Sequence, residues 1–507
     1  MIKLLFSTSK VGERSFFLCL LLFGFSQTIQ ANQEDKKYYY EYTPTLKLAY
    51  KSAIALKLDQ ADAFLNQVKQ NDPYNLTRHH IENYVDFFYL FVTENEVEFK
   101  KREKNKKIRL AILDKAGVEH PQYRFIKAEI LLHWALIRLK FDQKLTAGSE
   151  IYEAYKLLEA NKASYPQFVE NKKSLSIMHA LAESVPTFLR KIIGVEGSIL
   201  QAVDEITTLS KLANDRDYLF REEVLVIKSY IFYYQANRRK EAIKTIEEGS
   251  LDHSNNPMLA FFKANLALKD GRNNDCIKYL GESPKGSEYL SFHYMDFMLG
   301  RSLLYKLDSD ADKYLVRFLD NFKGRHYIKE AYQKLAWSQL LFGKGEIAYQ
   351  STIQKCISRG HDLLDEDKQA MQDAKQKAIP NILLLKARLL YDGGYFDRAE
   401  KELKHATYLS KGSRTISLEY YYRLGRTQQS LKKYYDAIPT LKNTISIGRS
   451  DTHYFACNAA LQLGLIYEEL SNCELSNYYY NQCLSMNPSA YKTSLHQKAK
   501  SGKERCK

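Results

Sequence analysis

Between Leu418 and Pro488 the chain sets out one arrangement of large and small residues twice. Tyr421-x2-Leu424-Gly425 is followed by Ala437-x3-Leu441. A step of 39 residues later, Ala460-x2-Leu463-Gly464-x2-Tyr467 is followed by Ser476-x3-Tyr480 and Pro488. Apolar positions three and four apart share one face of a helix. A small residue at the middle of each of two consecutive helices lets them approach closely, and the large residues then fill the gap to the next pair. Such a pair cannot bury its apolar face alone, so it must stack on copies of itself.

The pattern resembles the tetratricopeptide repeat, a helix–turn–helix unit written W-x2-L-G-x2-Y, A-x3-F, P. The second copy departs from it at Ala460, in place of an aromatic residue, and at Ser476, in place of alanine. The resemblance implies an all-α, right-handed superhelical α-α solenoid of helical hairpins. The same register recurs upstream, at Ala387 with Ala399-x3-Leu403, Tyr332-x2-Leu335-Ala336, Leu299-Gly300, Ala264 with Cys276-x3-Leu280, and Ser229 with Ala242-x3-Ile246, the last one residue late. Units start at 222, 257, 293, 329, 380, 418 and 457, and the one long step, 51 residues, predicts an insertion around 360–377 that extends a helix. Pro257 and Pro380 fall at unit starts, where a missing N–H costs a helix nothing. Pro439 falls inside a second helix, which it tolerates only if that helix begins near Asp436.

The N-terminal third is less regular. Residues 42–73 read as one degenerate unit with Ala49 and Ala61. A helix is expected through 81–99, with the basic run Lys100–Lys107 continuing it or looping out. Residues 121–166 read as a unit with a long connection. Residues 175–212 do not fit the repeat: Pro186, Gly194 and Gly197 interrupt, and Ser198 caps a helix over 199–212. This layout is similar to that of the eukaryotic tetratricopeptide-39 / inclusion-body-clearance family, which implies a non-catalytic adaptor. The chain departs from that cytoplasmic family at its N-terminus. The expected organisation is a signal peptide at 1–31, an irregular helical region at 32–212, a repeat solenoid at 213–491 and a basic, flexible tail at 492–507.

Lys3, Lys10 and Arg14 precede the apolar run 16–25, and Ala31 offers a cleavage point, the layout of a secretory signal. Cys19 follows Phe17-Leu18 rather than small residues, which argues against a lipid anchor. Export to the periplasm or the cell exterior is expected, with membrane association only if this segment is retained. Removing Lys3, Lys10, Arg14 and Glu13 lowers the net charge from +15 to +13. That balance suits an acidic partner; nucleic acid is excluded by export. Six cysteines then remain, with no Cys-x2-Cys pair to suggest zinc. Cys457, Cys473 and Cys483 share one repeat, where export permits a disulfide and burial as free thiols is the alternative.

Motifs for catalysis are missing: no His-Glu-x2-His, Gly-x-Ser-x-Gly, Gly-x4-Gly-Lys-Ser/Thr or Gly-x-Gly-x2-Gly occurs. His79, His80 and Glu82 cluster in sequence, but neighbours one and two apart on a helix point different ways. Asp362, Asp365, Glu366 and Asp367 lack calcium-loop spacing and read as a solvated helix start. Asn75-Leu76-Thr77 matches the glycosylation sequon. No catalytic residue, metal or cofactor is expected. In tetratricopeptide solenoids the residue after the small position of the first helix generally faces the inner groove. Here Tyr230, Asn265, Arg301, Trp337, Arg388 and Arg426 occupy it, and the three guanidinium groups suit carboxylate recognition. The plain alternative is that these arginines pair with acidic residues of adjacent helices. The expected function is a non-enzymatic scaffold for a segment of another envelope protein. A glycan-binding protein similar to the starch-utilisation type D family, and an enzyme with its site in 74–212, are the alternatives; a deep polar pocket with converging ionisable groups would favour the last.

Overall fold

The computed structural model describes residues 38–116, 120–184, 194–215 and 217–506. Among them every named element is a helix. Residues 1–31, which the sequence reading takes as a signal, and Pro186 lie outside the described residues. Two compact units form: one takes the chain up to Phe262 together with Ser283–Phe292, the other Lys263–Glu282 together with His293–Lys507.

The first unit holds α1 (Pro44–Ile54), α2 (Leu58–Asn71), α3 (Thr77–Thr93), α4 (Glu96–Leu113), α5 (Pro121–Lys140), α6 (Lys144–Ser164), α7 (Asn171–Ser184), α8 (Ile199–Leu212), α9 (Arg221–Tyr230) and α10 (Arg239–Glu248). α1 and α2 form the degenerate hairpin, closed by the fully buried Ala49 and Ala61. The helix expected to run through 81–99 ends instead at Glu94, whose φ is 51°, and Asn95 caps a new helix by accepting from Glu98 N. The basic run lies on that second helix, where Arg102 and Arg109 pair with Asp86 at 2.7 and 2.6 Å. The 121–166 unit has long helices rather than a long connection; only Phe141–Gln143 separates α5 from α6. Ser198 caps α8 as expected from the sequence, its hydroxyl accepting from Gln201 N.

The hairpin α9–α10 belongs to this first unit, not to the following repeats, because Glu222, Glu223, Val226 and Ile227 line its interior. α9 runs on into a π-helical turn, Ile231–Gln235. Such a turn inserts one residue into a helix, which explains why Ala242 arrives one residue late.

The second unit continues from α11 (Pro257–Lys269), which begins in the first. It holds α12 (Asn273–Glu282), α13 (Tyr294–Tyr305), α14 (Ala311–Asn321), α15 (Ile328–Leu341), α16 (Gly345–Ile353), α17 (Lys355–Ser358), α18 (Asp365–Gln376), α19 (Ile382–Asp392), α20 (Phe396–His405), α21 (Arg414–Ser430), α22 (Tyr434–Gly448), α23 (Phe455–Glu469), α24 (Cys473–Ser485) and α25 (Lys492–Arg505). From α12 to α16 and from α19 to α25 each helix packs on the next. First helices of successive hairpins also meet, α13 on α15, α19 on α21 and α21 on α23. This is an α-α solenoid of tetratricopeptide-type hairpins. At its close contacts Gly425 faces Leu441, Gly464 faces Tyr480, and Ser476 Oγ donates to Gly464 O at 2.9 Å.

Four expectations are corrected here. The insertion does not extend a helix: Arg359 is extended and Gly360 has φ +70°, so α18 is a separate helix, packed on α15. Within the acidic cluster, Asp367 is fully buried and accepts from the backbone N–H of Tyr327 and Glu330 at 2.8 and 3.0 Å. α22 begins at Tyr434 and not at Asp436, with Pro439 in its second turn; the carbonyl left without its partner is that of Tyr435, which is exposed and open to water. The basic tail is helical as α25 and packs on α23 and α24 through Leu495, Ala499 and Gly502. A Cys473–Cys506 disulfide ties it down, while Cys457 and Cys483 are buried thiols 3.6 Å apart.

Candidate functional site

The groove residues fall in both units. Tyr230 lies in the first, half-buried with its ring 4.9 Å from that of Tyr234. The other five lie in the second. Asn265 is half-buried on α11. Arg301 reaches Glu330 at 3.6 Å and covers the Phe297 ring at 4.9 Å. Glu330 also meets Lys334 at 3.4 Å; burial pushes its carboxyl up, and the two cations bring it below the usual range. Lys334 and Arg388 both stand over the Trp337 ring, at 4.2 and 4.6 Å. Arg426 donates to Tyr391 OH at 2.6 Å and to Tyr422 OH at 3.0 Å. Equivalent register therefore leads to unequal surroundings. Arg301 and Arg426 are engaged by neighbouring helices. Arg388 retains a quarter of its side-chain exposure, lies 4.0 Å from Asp392 and, among the described residues, makes no hydrogen bond. Arg301 Nε, Glu330 Oε2 and Arg426 Nε are buried without hydrogen-bond partners.

The first unit contains a second constellation, which the sequence did not disclose. A cavity of ≈ 290 Å³ opens between α3, α5, α7 and α9. α3 contributes Tyr84, Phe87, Phe88 and Phe91, and α5 contributes Glu129, Leu132, His133 and Leu136. α7 adds Ser174, Ile177, Met178 and Leu181, and α9 adds Glu223, Val226 and Ile227. Three of these sets share the spacing i, i+3, i+4, i+7, one stripe of a helix, and each stripe opens on a polar residue.

Those polar openings converge. Lys173 Nζ lies 2.7 Å from Glu129, 2.9 Å from Glu223 and 2.8 Å from Tyr84 OH. Tyr84 OH is also 2.8 Å from Glu223 Oε1, Tyr50 OH donates to the same oxygen, and Ser174 Oγ donates to Glu129. Burial pushes Lys173 down, but Glu129 and Glu223 outweigh it and hold the ammonium above its usual pKa. Burial likewise pushes Glu129 up, and the Lys173 ammonium beside it brings it well below the usual range. His133 is neutral: burial lowers it to about 3, and its ring stacks on Phe87 at 4.4 Å. All three N–H bonds of Lys173 are spent on the cluster, so it is a clamp between helices and no nucleophile. The sequence signal was present in the three stripes, but without a tertiary partner each reads as an ordinary core face.

Other sequence candidates separate. His79 pairs with Glu82 at 2.9 Å, whereas His80 turns inward, 3.8 Å from Glu129. Asn75 of the sequon is fully buried and holds the backbone of Glu41 and Thr77.

No family model matches the sequence, and no curated protein matches it. Solved structures that are similar include the P58(IPK) TPR domain, at 12% identity over 91% of this chain and 96% of that one, TM-score 0.22. The APC/C hetero-tetramer Cut9-Hcn1 is similar at 13% identity over 90% and 95%, TM-score 0.24. With TM-scores this low neither superposes on the chain as a whole, and the repeat architecture stands on the chain's own helices and their packing.

Proposed function

We propose that the chain is an exported, non-enzymatic tetratricopeptide-type scaffold, and that its second unit holds an extended segment of another envelope protein, acidic where it meets Arg388. The observation that carries this reading is the state of Arg388. It is a guanidinium one quarter exposed, 4.6 Å over the Trp337 ring, with only a 4.0 Å approach to Asp392 and its donors unspent. A planar fork of this kind suits a carboxylate. The disulfide of α24 with α25 supports an oxidising compartment. A sugar-binding role has less support, since Trp134 and Trp337 are both buried and offer no open ring face.

The test is capture from envelope extract, followed by affinity and melting measurements on two single variants. Arg388→Ala should weaken partner binding with little change in Tm, and the remaining affinity should fall as salt rises. Arg426→Ala should lower Tm, because it removes two hydrogen bonds, one to Tyr391 of the neighbouring helix and one to Tyr422 of its own. An Arg388→Ala protein with a lowered Tm and parental affinity would reject the groove. N-terminal sequencing of the exported protein tests the compartment: the mature chain should begin near Asn32.

A further inference from the structure

The cavity of the first unit has a polar region and an apolar one, arranged along the same helices. Tyr84, Glu129, Ser174 and Glu223 open their stripes, and the apolar residues follow three to seven positions later on α3, α5 and α7. At ~1.5 Å per residue that is a run of about 5–10 Å along the helix axes. The apolar walls are not closed on themselves: Phe87, Leu136, Ile177, Leu181 and Ile227 all retain partial exposure. A concave apolar surface that water still reaches is a binding surface. Charge decides what kind of head group it takes. Among the described ionisable residues on the wall, Lys173 is the single cation, against Glu129, Glu222 and Glu223. Lys173 has no N–H left for a ligand anion. Glu222 is half-exposed and accepts one hydrogen bond, from Asn256 Nδ2 at 3.0 Å, so it keeps acceptor capacity facing the cavity. Arg221 and Lys51 act on Glu222 from outside the wall.

We propose that this cavity binds a single-chain amphiphile with an amine head group, its chain along the apolar stripes and its ammonium at Glu222, whose carboxylate accepts one hydrogen bond where that of Glu223 is taken up by Lys173, Tyr84 and Tyr50. An anionic head of the same length would meet like charge at Glu222, and an alcohol would gain a hydrogen bond without the charge. The proposal is independent of partner binding by the second unit.

The experiment uses the full chain and the neutral fluorophore N-phenyl-1-naphthylamine, displaced by decylamine, decanol or decanoate. Saturable uptake of one fluorophore per chain is expected. Decylamine should displace it at a concentration at least about tenfold below that of decanoate, equivalent to ~1.4 kcal/mol, with decanol between them. Ile177→Trp, which fills the cavity, should abolish uptake. Glu222→Gln leaves the core packing alone and should bring decylamine and decanol together. No saturable uptake by a fully helical protein would overturn the proposal. So would equal displacement by decanoate, an Ile177→Trp variant that still takes up the fluorophore, or a Glu222→Gln variant with the parental preference.

Discussion

Replacing Gly464 by Ala tests the packing of the C-terminal hairpins with a single carbon. A Cβ there would stand 2.4 and 2.5 Å from Cε1 and Cδ1 of Tyr480 and 3.0 Å from Cζ. The ring has nowhere to go. Gly502 of α25 approaches it so closely that a Cβ there would meet Cζ at 2.3 Å. The hydroxyl donates to Glu468 at 2.5 Å, and Arg505 holds the same carboxylate at 2.6 and 2.9 Å. Overpacking of a closed core costs about 1–3 kcal/mol, while Gly→Ala inside a helix gains ~1 kcal/mol. With the ring confined on both sides the clash takes the upper end, leaving a net loss of about 2 kcal/mol. For a unit of this size that is a fall in Tm of about 4–8 °C. Gly425→Ala should cost less, because its Cβ meets Cδ2 and Cγ of Leu441 at 2.7 and 2.8 Å, a longer approach than that to Tyr480, and a leucine side chain turns aside more readily than a ring pinned on both faces. Gly281→Ala, with nothing within 4 Å, should be neutral or slightly stabilising. Thermal unfolding followed by circular dichroism ranks the three. A Gly464→Ala protein as stable as Gly281→Ala would refute the register assigned to α23, α24 and α25.

Three further outcomes are expected. Lys173→Met should destabilise the first unit by about 3–5 kcal/mol in urea unfolding, since Glu129 and Glu223 are left buried without their cation; adding Glu129→Gln and Glu223→Gln should recover part of the loss, and a silent Lys173→Met would dismiss the clamp. The unfolded chain protonates a histidine near 6.5 while folded His133 resists until about 3; stability is therefore full above pH 6.5 and declines as pH falls through that window, by up to ~1.4 kcal/mol per unit, and the decline should be shallower in His133→Gln. Finally, a chain made without residues 1–31 should, when unfolded, titrate four thiols without reductant, those of Cys276, Cys356, Cys457 and Cys483, and six after reduction; six at the outset would remove the α24–α25 link.

The hairpins were legible because their information is local. Gly425 with Ala437, and Gly464 with Ser476, recur at fixed distances along the chain, and a small residue at a helix crossing acts through its size alone. Interruptions were legible for the same reason where one residue decides, as Ser198 does at the start of α8. Gly360 escaped because a glycine ending one helix and a glycine inside a longer one look alike until its φ is known. The π turn after Tyr230 left only a slip of one residue. Charge was not local in this way. Arg301, Arg388 and Arg426 hold equivalent positions, yet Glu330, Trp337 and the Tyr391–Tyr422 pair decide which guanidinium is spent and which is open. Lys173, Tyr84, Glu129 and Glu223 lie on four helices, and their meeting gives the first unit its polar cluster. Sequence spacing fixes which face of a helix a side chain occupies; what it faces, and hence its charge state and its availability, depends on distances across the fold of a few ångströms, which packing alone sets.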